Sequence, residues 1–258
     1  MTPTFFIVVA TLFGAIVGSF LNVCIYRLPI GKSIVFPASA CEICRRELSW
    51  YENVPIVSWL ALGAKCLTCK TPLSFRHPMI EALTALMFGA AAWYWGPTLL
   101  LASRLVFGCA LIVLFAIDFD HHLLPNVITL PGIAVGLAFS VITEPGWKAS
   151  LIGAVIGGGV LWLIAEVYYR VRHEDGLGMG DVKMLAMIGA FIGWQLTLVT
   201  LMMASFAGAF VGLLVIALRK GDMKYALPFG TFLALGAALA ATVGPGLLGW
   251  YLGFLEPL

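Results

Sequence analysis

The sequence predicts an all-α polytopic membrane protein with about eight transmembrane helices and one small polar domain. Of its 258 residues, 61% are hydrophobic and only 11% are charged, and the mean hydropathy is +1.01. Soluble domains are nearer half apolar and a quarter charged. A membrane-crossing helix needs about 20 apolar residues, and the apolar stretches here accommodate about eight such helices. The composition therefore excludes a soluble globular enzyme and a disordered or fibrous chain.

The polar residues are concentrated in one segment near the start of the chain. The first apolar run, residues 5–26, has no basic beginning and is too long for a signal peptide, so a retained span is expected. Residues 27–78 hold seven of the fifteen Lys and Arg residues and four of the six cysteines. We therefore predict three parts: a first span in 1–26, a cytoplasmic domain in 27–78 and a membrane domain in 79–258.

Short polar interruptions divide the rest of the chain into seven further apolar segments. The segment at 182–194 is short for a bilayer crossing, and a bend or break is expected at Gly244–Gly246 in the last one. The predicted spans after the first are 79–95, 98–117, 124–142, 148–169, 182–194, 196–218 and 226–254.

The distribution of basic residues predicts the orientation of these spans. Alternate loops lie at 27–78, 118–123, 170–181 and 219–225, and with the adjoining Lys183 they carry thirteen of the fifteen Lys and Arg residues. Basic loops stay in the cytoplasm under the positive-inside rule. These loops are therefore predicted to be cytoplasmic, with both termini on the opposite side.

Two Cys-x-x-Cys pairs in the polar segment predict a metal site. Cys41 and Cys44 form the first pair and Cys66 and Cys69 the second, with 21 residues between them. Four thiolates from two tight turns complete a tetrahedral zinc site, and cytoplasmic thiols stay reduced. We predict a structural Zn²⁺; the alternatives are a redox couple or two unrelated pairs. The other two cysteines lie in predicted spans, where packing explains them.

Three aspartates near span ends are predicted to lie at the same membrane face. Asp118 and Asp120 end the third span, and Asp181 starts the sixth. Carboxylates near hydrocarbon are costly and so indicate function. Two that meet in a partly dry site can share one proton and act as acid and base on a peptide carbonyl. The glycines at 178 and 180 suit the approach of an extended peptide.

Simpler interpretations of these acids remain open. Asp181 could cap a helix, and Asp120 could be a solvated loop acid. Intramembrane acids also mark proton-coupled transporters, although these lie at the membrane edge and no inverted repeat is visible. A membrane redox protein using the cysteine pairs is a third hypothesis.

The ordered motifs resemble those of the bacterial type IV prepilin peptidases over nearly the whole chain. The resemblance is carried by Gly18-Ser-Phe-Leu-Asn-Val-Cys-Ile-Tyr-Arg-Leu-Pro29, the two cysteine pairs flanking Trp50-Tyr-Glu-Asn-Val-Pro-Ile-Val-Ser-Trp59, Ser74-Phe-Arg-His-Pro-Met-Ile-Glu81, Asp118 with Leu124-Pro125, and Gly178-Met-Gly-Asp181-Val-Lys183.

The resemblance implies a membrane aspartyl protease with Asp118 and Asp181 as its catalytic acids. It implies removal of short basic leaders from prepilins and pseudopilins at the cytoplasmic face of the bacterial inner membrane. It also implies N-methylation of the new amino terminus with S-adenosylmethionine, and partners in pilus or type II secretion assembly, with no nucleic acid.

Other residues are candidates for contacts with the substrate or the methyl donor, and two positions depart from the family pattern. Glu42 stands where Pro often follows the first Cys, and Asn126 stands where Asp often follows Pro125. The candidates for substrate or methyl-donor contact are Gly178, Gly180, Glu81, Asn22 and Arg27. For Arg27 and Glu81, the end of a span and a helix cap are the alternative interpretations.

Overall fold

A computed structural model describes residues 3–41, 43–174, 176, 178–218 and 227–255 of the chain. Within these residues the protein is helical, with two isolated β-bridges and no strand. The chain forms two compact units, Met1–Val113 and Leu114–Leu258. The helices are α1 (Pro3–Arg27), α2 (Val57–Ala61), α3 (Arg76–Trp95), α4 (Leu99–His121), α5 (Asn126–Ser140), α6 (Trp147–Arg172), α7 (Met179–Leu218) and α8 (Phe229–Leu255).

In the first unit, α1 and α3 pack closely through glycines. A Cβ at Gly14 would lie 2.7 Å from the Cβ of Phe88, and one at Gly18 would lie 2.7 Å from the Cα of Glu81. In a bilayer, no hydrophobic driving force brings helices together, because the lipid tails are as apolar as the side chains. Small residues favour association there because they allow the helix backbones to pack closely. The polar segment between these helices holds a 3₁₀ turn, Trp50–Asn53, and the short α2.

In the second unit, α7 is the central helix and contacts α5, α6 and α8. A Cβ on Gly189 of α7 would lie 2.1 Å from the carbonyl oxygen of Gly153 on α6, so the two helices touch backbone to backbone. A Cβ on Gly136 of α5 would lie 2.9 Å from the ring of Phe191. The glycines in these apolar segments thus determine helix packing in both units.

The predicted division between residues 194 and 196 corresponds to a sharp kink at Gly193. This residue has φ 77° and ψ 169°, a conformation that favours glycine, and it separates two helical segments within α7. The helix does not break at Gly244–Gly246, because α8 continues through Pro245. The carbonyl groups that proline leaves unpaired are tolerated in membrane helices.

Five helices among the described residues are long and apolar enough to cross a membrane: α1, α4, α6, α7 and α8. The helix α5 is apolar but shorter. Large apolar side chains such as Leu12, Phe206 and Phe210 are exposed, as suits contact with lipid. The multi-span helical class is confirmed, whereas the count of eight spans is not. The predicted loop at 219–225, with Arg219, Lys220 and Lys224, lies outside the described residues.

Candidate functional site

The two Cys-x-x-Cys pairs adopt the same local geometry. The backbone N–H of Cys41 donates to the carbonyl oxygen of Arg46 at 2.9 Å, and that of Cys66 donates to Thr71 at 2.9 Å. An isolated bridge closes each turn, between residues 40 and 47 and between 65 and 72. We call these turns the two knuckles. Each presents its two thiols from a closed loop.

The four thiols of the knuckles converge on one point. All four Sγ atoms lie within 4.8 Å of one another, and the Sγ atoms of Cys41 and Cys69 are 3.7 Å apart. A tetrahedral ion with Zn–S bonds of about 2.3 Å places its sulfurs about 3.8 Å apart. None of the cysteines forms a disulfide. The cluster therefore fits the predicted zinc ion in ligand number, type and spacing.

Hydrogen bonds around the cluster stabilise both thiolate and carboxylate charge. The Thr71 hydroxyl and backbone lower the pKa of Cys69 to about 6. The Arg46 guanidinium pairs with Glu52 and holds the pKa of that carboxyl below its usual range. Glu42, one of the departures from the family pattern, lies outside the described residues.

A cavity of about 440 Å³ lies in the first unit, beside the knuckles. Three residues predicted to contact substrate or methyl donor line it: Asn22, Arg27 and Glu81. Tyr26 and Trp59 add aromatic rings to the wall, and Cys41 and Cys66 also line it. Sites for small molecules are concave, have volumes of this order and combine apolar walls with a few polar groups.

Each of the three predicted residues also makes a structural hydrogen bond. Asn22 Nδ2 donates to the His77 carbonyl at 3.0 Å, joining α1 to the start of α3. The Arg27 guanidinium donates to the Ser33 carbonyl at 3.0 Å and to the Ala38 carbonyl at 3.3 Å. Arg27 thus organises the loop after α1, in agreement with its interpretation as a span end.

Glu81 holds a strained residue at the wall of the cavity. Its side chain is buried, and its Oε2 accepts the backbone N–H of Ile56 at 2.7 Å. Ile56 has φ 62° and ψ −49°, which is rare for a β-branched residue. Such strain persists where surrounding contacts enforce it and is common at functional sites. Glu81 lies within α3, beyond its N-cap residue Phe75, and so is not the helix cap that the sequence left as its alternative role.

In the second unit, Asp118 lies in the last turn of α4 and faces the start of α8. It is only 5% exposed, although a carboxylate is normally solvated. Its Oδ2 accepts the backbone N–H of Thr231 at 2.7 Å, and Gly230 lies against the same carboxylate. Both residues belong to the first turn of α8, where N–H groups have no partner within the helix.

Asp181 lies in the first turn of α7 and is half-buried. Leu124 lies against Gly180, next to Asp181 in the chain, and against Gly230, which contacts Asp118, so the two acids lie in one region of the second unit. A Cβ at Gly178 would lie 3.4 Å from Asp181 Oδ2, and one at Gly180 would lie 2.9 Å from Leu124 Cβ. Both glycines therefore keep the backbone close to the acid and to the segment after α4.

The structure distinguishes the two acids at the end of α4. Asp120 is exposed, whereas Asp118 is buried against the start of α8. The departure at Asn126 also has a defined contact, because its Oδ1 accepts a hydrogen bond from Lys183 Nζ at 2.9 Å. This bond connects the start of α5 to the first turns of α7, so the departure preserves a link between the two helices.

Sequence reasoning missed two groups of residues at these places. Gly230 and Thr231 lie against Asp118 from 112 and 113 positions further along the chain, and Thr231 donates to it. Pro228 just before them is typical of a helix start, but nothing in the sequence says which acid that start faces. Ile56 was likewise missed, since its unusual backbone has no signal in residue type.

The two parts of the sequence match two known families. Residues 12–95 match the bacterial peptidase A24 N-terminal domain, and residues 105–213 match the type IV leader peptidase family. No solved structure gives a significant match.

Curated relatives cover nearly the whole chain. A prepilin leader peptidase/N-methyltransferase of Pseudomonas aeruginosa is 36% identical, and the alignment covers 98% of this chain and 95% of the relative. One of Aeromonas hydrophila is 34% identical, with 97% and 95% covered. A third, of Myxococcus xanthus, is 42% identical over 79% of this chain and 61% of its own length.

Proposed function

The chain belongs to the type IV leader peptidase family, and we propose that it cleaves the leader from prepilins with Asp118 and Asp181 and then N-methylates the new amino terminus. The observation that carries the peptidase assignment is the placement of the buried Asp118 at the end of α4 and of Asp181 at the start of α7, with Leu124 against Gly180 and Gly230. The relatives' names support both activities. Nothing in the comparisons supports a transporter.

The acid pair supplies what peptide hydrolysis needs. Two carboxylates in a dry site repel each other's charge, so one keeps a proton while the other is ionised. The ionised acid takes a proton from water, and the protonated acid donates to the carbonyl oxygen. No covalent intermediate is formed. Gly178 keeps the backbone close to the Asp181 carboxylate without a side chain beside it, whereas Gly180 is packed against Leu124.

Prepilin cleavage by purified protein tests the peptidase proposal. The assay is mass spectrometry of a prepilin after incubation with the enzyme in detergent or nanodiscs. Asp118→Asn and Asp181→Asn should each abolish leader release, because either change removes an acid or base from the pair. Asp120→Asn is the matched control and should retain cleavage, since Asp120 is exposed. Cleavage by both of the first two variants would refute the assignment.

The cavity beside the knuckles is the proposed site for the methyl donor. S-adenosylmethionine, when bound, supplies the methyl group. Glu81 offers a buried carboxylate suited to a sulfonium cation or a ribose hydroxyl, and Asn22 offers an amide. Trp59 and Tyr26 offer faces against which an adenine ring can stack. What supports the site is this convergence of acid, amide and rings in a volume of suitable size.

A variant that separates the two activities tests the methyl-donor site. Glu81→Gln keeps the shape and an acceptor for the Ile56 N–H but removes the charge. It should lose most methylation and S-adenosylmethionine binding while leader cleavage continues. The matched control is Glu166→Gln, which removes a carboxylate from the surface of α6. Full methylation by Glu81→Gln would place the methyl donor elsewhere.

Zinc is proposed as the structural ion of the knuckles. Cys41, Cys44, Cys66 and Cys69 would hold it, and its bonds would fix a segment that has few large apolar residues of its own. Metal analysis of purified protein should give about one zinc per chain. Reversible oxidation of the thiols without bound metal would instead favour the redox hypothesis.

The membrane setting follows from the apolar helices and the family. We propose that the protein lies in the bacterial inner membrane with its acids and knuckles on the cytoplasmic side, and that pilus or type II secretion assembly uses its products. The three parts 1–26, 27–78 and 79–258 remain our proposed functional divisions. Labelling of single cysteines by a membrane-impermeant reagent, in intact and in opened cells, tests the orientation.

A further inference from the structure

The two acids of the proposed peptidase site have different hydrogen-bond environments. Asp118 Oδ2 accepts the Thr231 N–H at 2.7 Å, and Gly230 lies against the same carboxylate. Within the part of the chain that the structure describes, the Asp181 carboxylate has no hydrogen-bond donor; it has only the charge of Asp118 nearby. The pair is therefore asymmetric before any substrate binds.

This asymmetry has a direct chemical consequence. A backbone N–H can only donate, so it stabilises a carboxylate oxygen that accepts and favours the charged form. The donor also belongs to the first turn of α8, where the aligned peptide dipoles favour negative charge. Asp181 also lies in the first turn of a helix, α7, so the peptide dipoles do not distinguish the two acids. What distinguishes them is the N–H that Asp118 accepts and Asp181 does not, and a second charge beside Asp118 would be repelled.

We propose that Asp118 is the ionised general base, that Asp181 carries the proton, and that Gly230 and Thr231 are the positioning residues that fix this assignment. The proposal rests on the proposed peptidase function, since it divides the roles within that same pair. Gly230 is suited to this role because a Cβ there would lie 2.8 Å from Asp118 Oδ2. Any larger residue would displace the carboxylate from the donor.

The assignment gives a balanced reaction. Asp118 takes a proton from water as the water oxygen bonds to the scissile carbonyl carbon, and Asp181 gives its proton to the carbonyl oxygen. The C–N bond then breaks, and the leaving nitrogen takes the proton held by Asp118. One hydroxyl of the tetrahedral carbon returns a proton to Asp181. Both acids end in their starting states without an oxidant, a metal or a second substrate.

Any test has to distinguish the effect of the α8 donor on Asp118 from the effect of nearby charged groups. Among the described residues these are Asp181 on α7 and His122, which follows α4. His122 is exposed, so a His122→Gln variant isolates its contribution to a pH profile. The α8 donor is a backbone amide and does not titrate.

The test is the pH dependence of kcat/KM for prepilin cleavage by the full-length protein. Thr231→Pro removes the donor N–H at a helix position that tolerates proline. The acid limb of the profile should move up by about 1 to 2 pH units, which corresponds to the loss of one charge-assisted hydrogen bond. Thr231→Ala keeps the N–H, so its acid limb should stay in place even if kcat falls. His122→Gln removes a group whose charge acts on Asp118, and it should move that limb by less than Thr231→Pro does.

A second variant covers the case in which Thr231→Pro does not fold. Replacing the amide between residues 230 and 231 by an ester removes the same N–H with almost no change of shape, and it should move the acid limb in the same direction. Movement of the alkaline limb instead would reverse the two roles, and unmoved limbs would overturn the proposal. Absence of cleavage by the wild-type protein would overturn the proposed function itself, which is a separate outcome.

Discussion

Replacing Gly230 with alanine adds one methyl group next to the proposed general base. The new Cβ would lie 2.8 Å from Asp118 Oδ2, 2.9 Å from its Cγ and 3.0 Å from Leu124 Cδ1. Ordinary contact begins at 3.4 Å, so the carboxylate has to move by about 0.6 Å. A 1 Å misplacement at a reacting centre costs roughly 10²-fold in rate, so a loss of about tenfold or more in kcat/KM is expected.

Stability should respond much less than activity to this change. The group that has to move is the end of a side chain, and alanine is the better helix former by up to about 1 kcal/mol. The melting temperature in detergent should therefore stay close to that of the wild type while prepilin cleavage falls. Gly159→Ala on α6 is the control, because its Cβ meets nothing within 4 Å. Equal cleavage rates for the two alanine variants would refute the steric argument.

Three further predictions concern packing, metal and charge. Gly193→Ala should destabilise the protein by about 2 kcal/mol or more, since φ 77° is unfavourable for alanine and its Cβ is crowded; thermal unfolding measures this. Cys66→Ser should abolish stoichiometric zinc in metal analysis, whereas Cys109→Ser, outside the cluster, should retain it. Asn126→Asp should stabilise the protein by about 0.2–1 kcal/mol through an ion pair with Lys183, as measured by unfolding at pH 7.

The same three experiments have clear contrary results. An unchanged melting temperature for Gly193→Ala would mean that the kink is not confined to that residue. Full zinc content in Cys66→Ser would show that three thiols suffice. The gain from Asn126→Asp should be complete above about pH 4 and disappear as the pH falls further, because the pair lowers the pKa of the new acid. A gain that persisted in acid would have another cause.

The sequence predicted those features whose signal is local. Apolar length predicted the helical segments, and the spacing of Cys41, Cys44, Cys66 and Cys69 predicted a four-thiol cluster, because both depend on residues a few positions apart. The predicted division near residue 195 was close to the kink at Gly193, because it too was predicted from a local interruption of an apolar run. Of the bend or break expected in α8, a break is wrong, since proline alone does not end a membrane helix that neighbours support.

The remaining features depend on contacts between distant parts of the chain. Asp118 and Thr231 are 113 positions apart, and no local pattern pairs a span end with a particular helix start. The contact between Glu81 and the Ile56 N–H is of the same kind, across 25 positions. The predicted catalytic roles of Asp118 and Asp181 came from motif resemblance, and they stay predictions until the variants are assayed.

The two knuckles share one hydrogen-bond pattern at a constant offset of 25 residues. The backbone N–H of Arg45 donates to the Cys41 carbonyl at 2.9 Å, and that of Lys70 donates to the Cys66 carbonyl at 3.1 Å. Arg45 and Lys70 have φ 56° and 57°. The backbone N–H groups of Leu48 and Leu73 donate in the same way to the carbonyls of Ser39 and Ala64. Each half-site thus comes from its own local turn. A bound ion would then act as a cross-link between two preformed halves. It would stabilise the folded domain by reducing the conformational entropy of the loop between the knuckles in the unfolded chain.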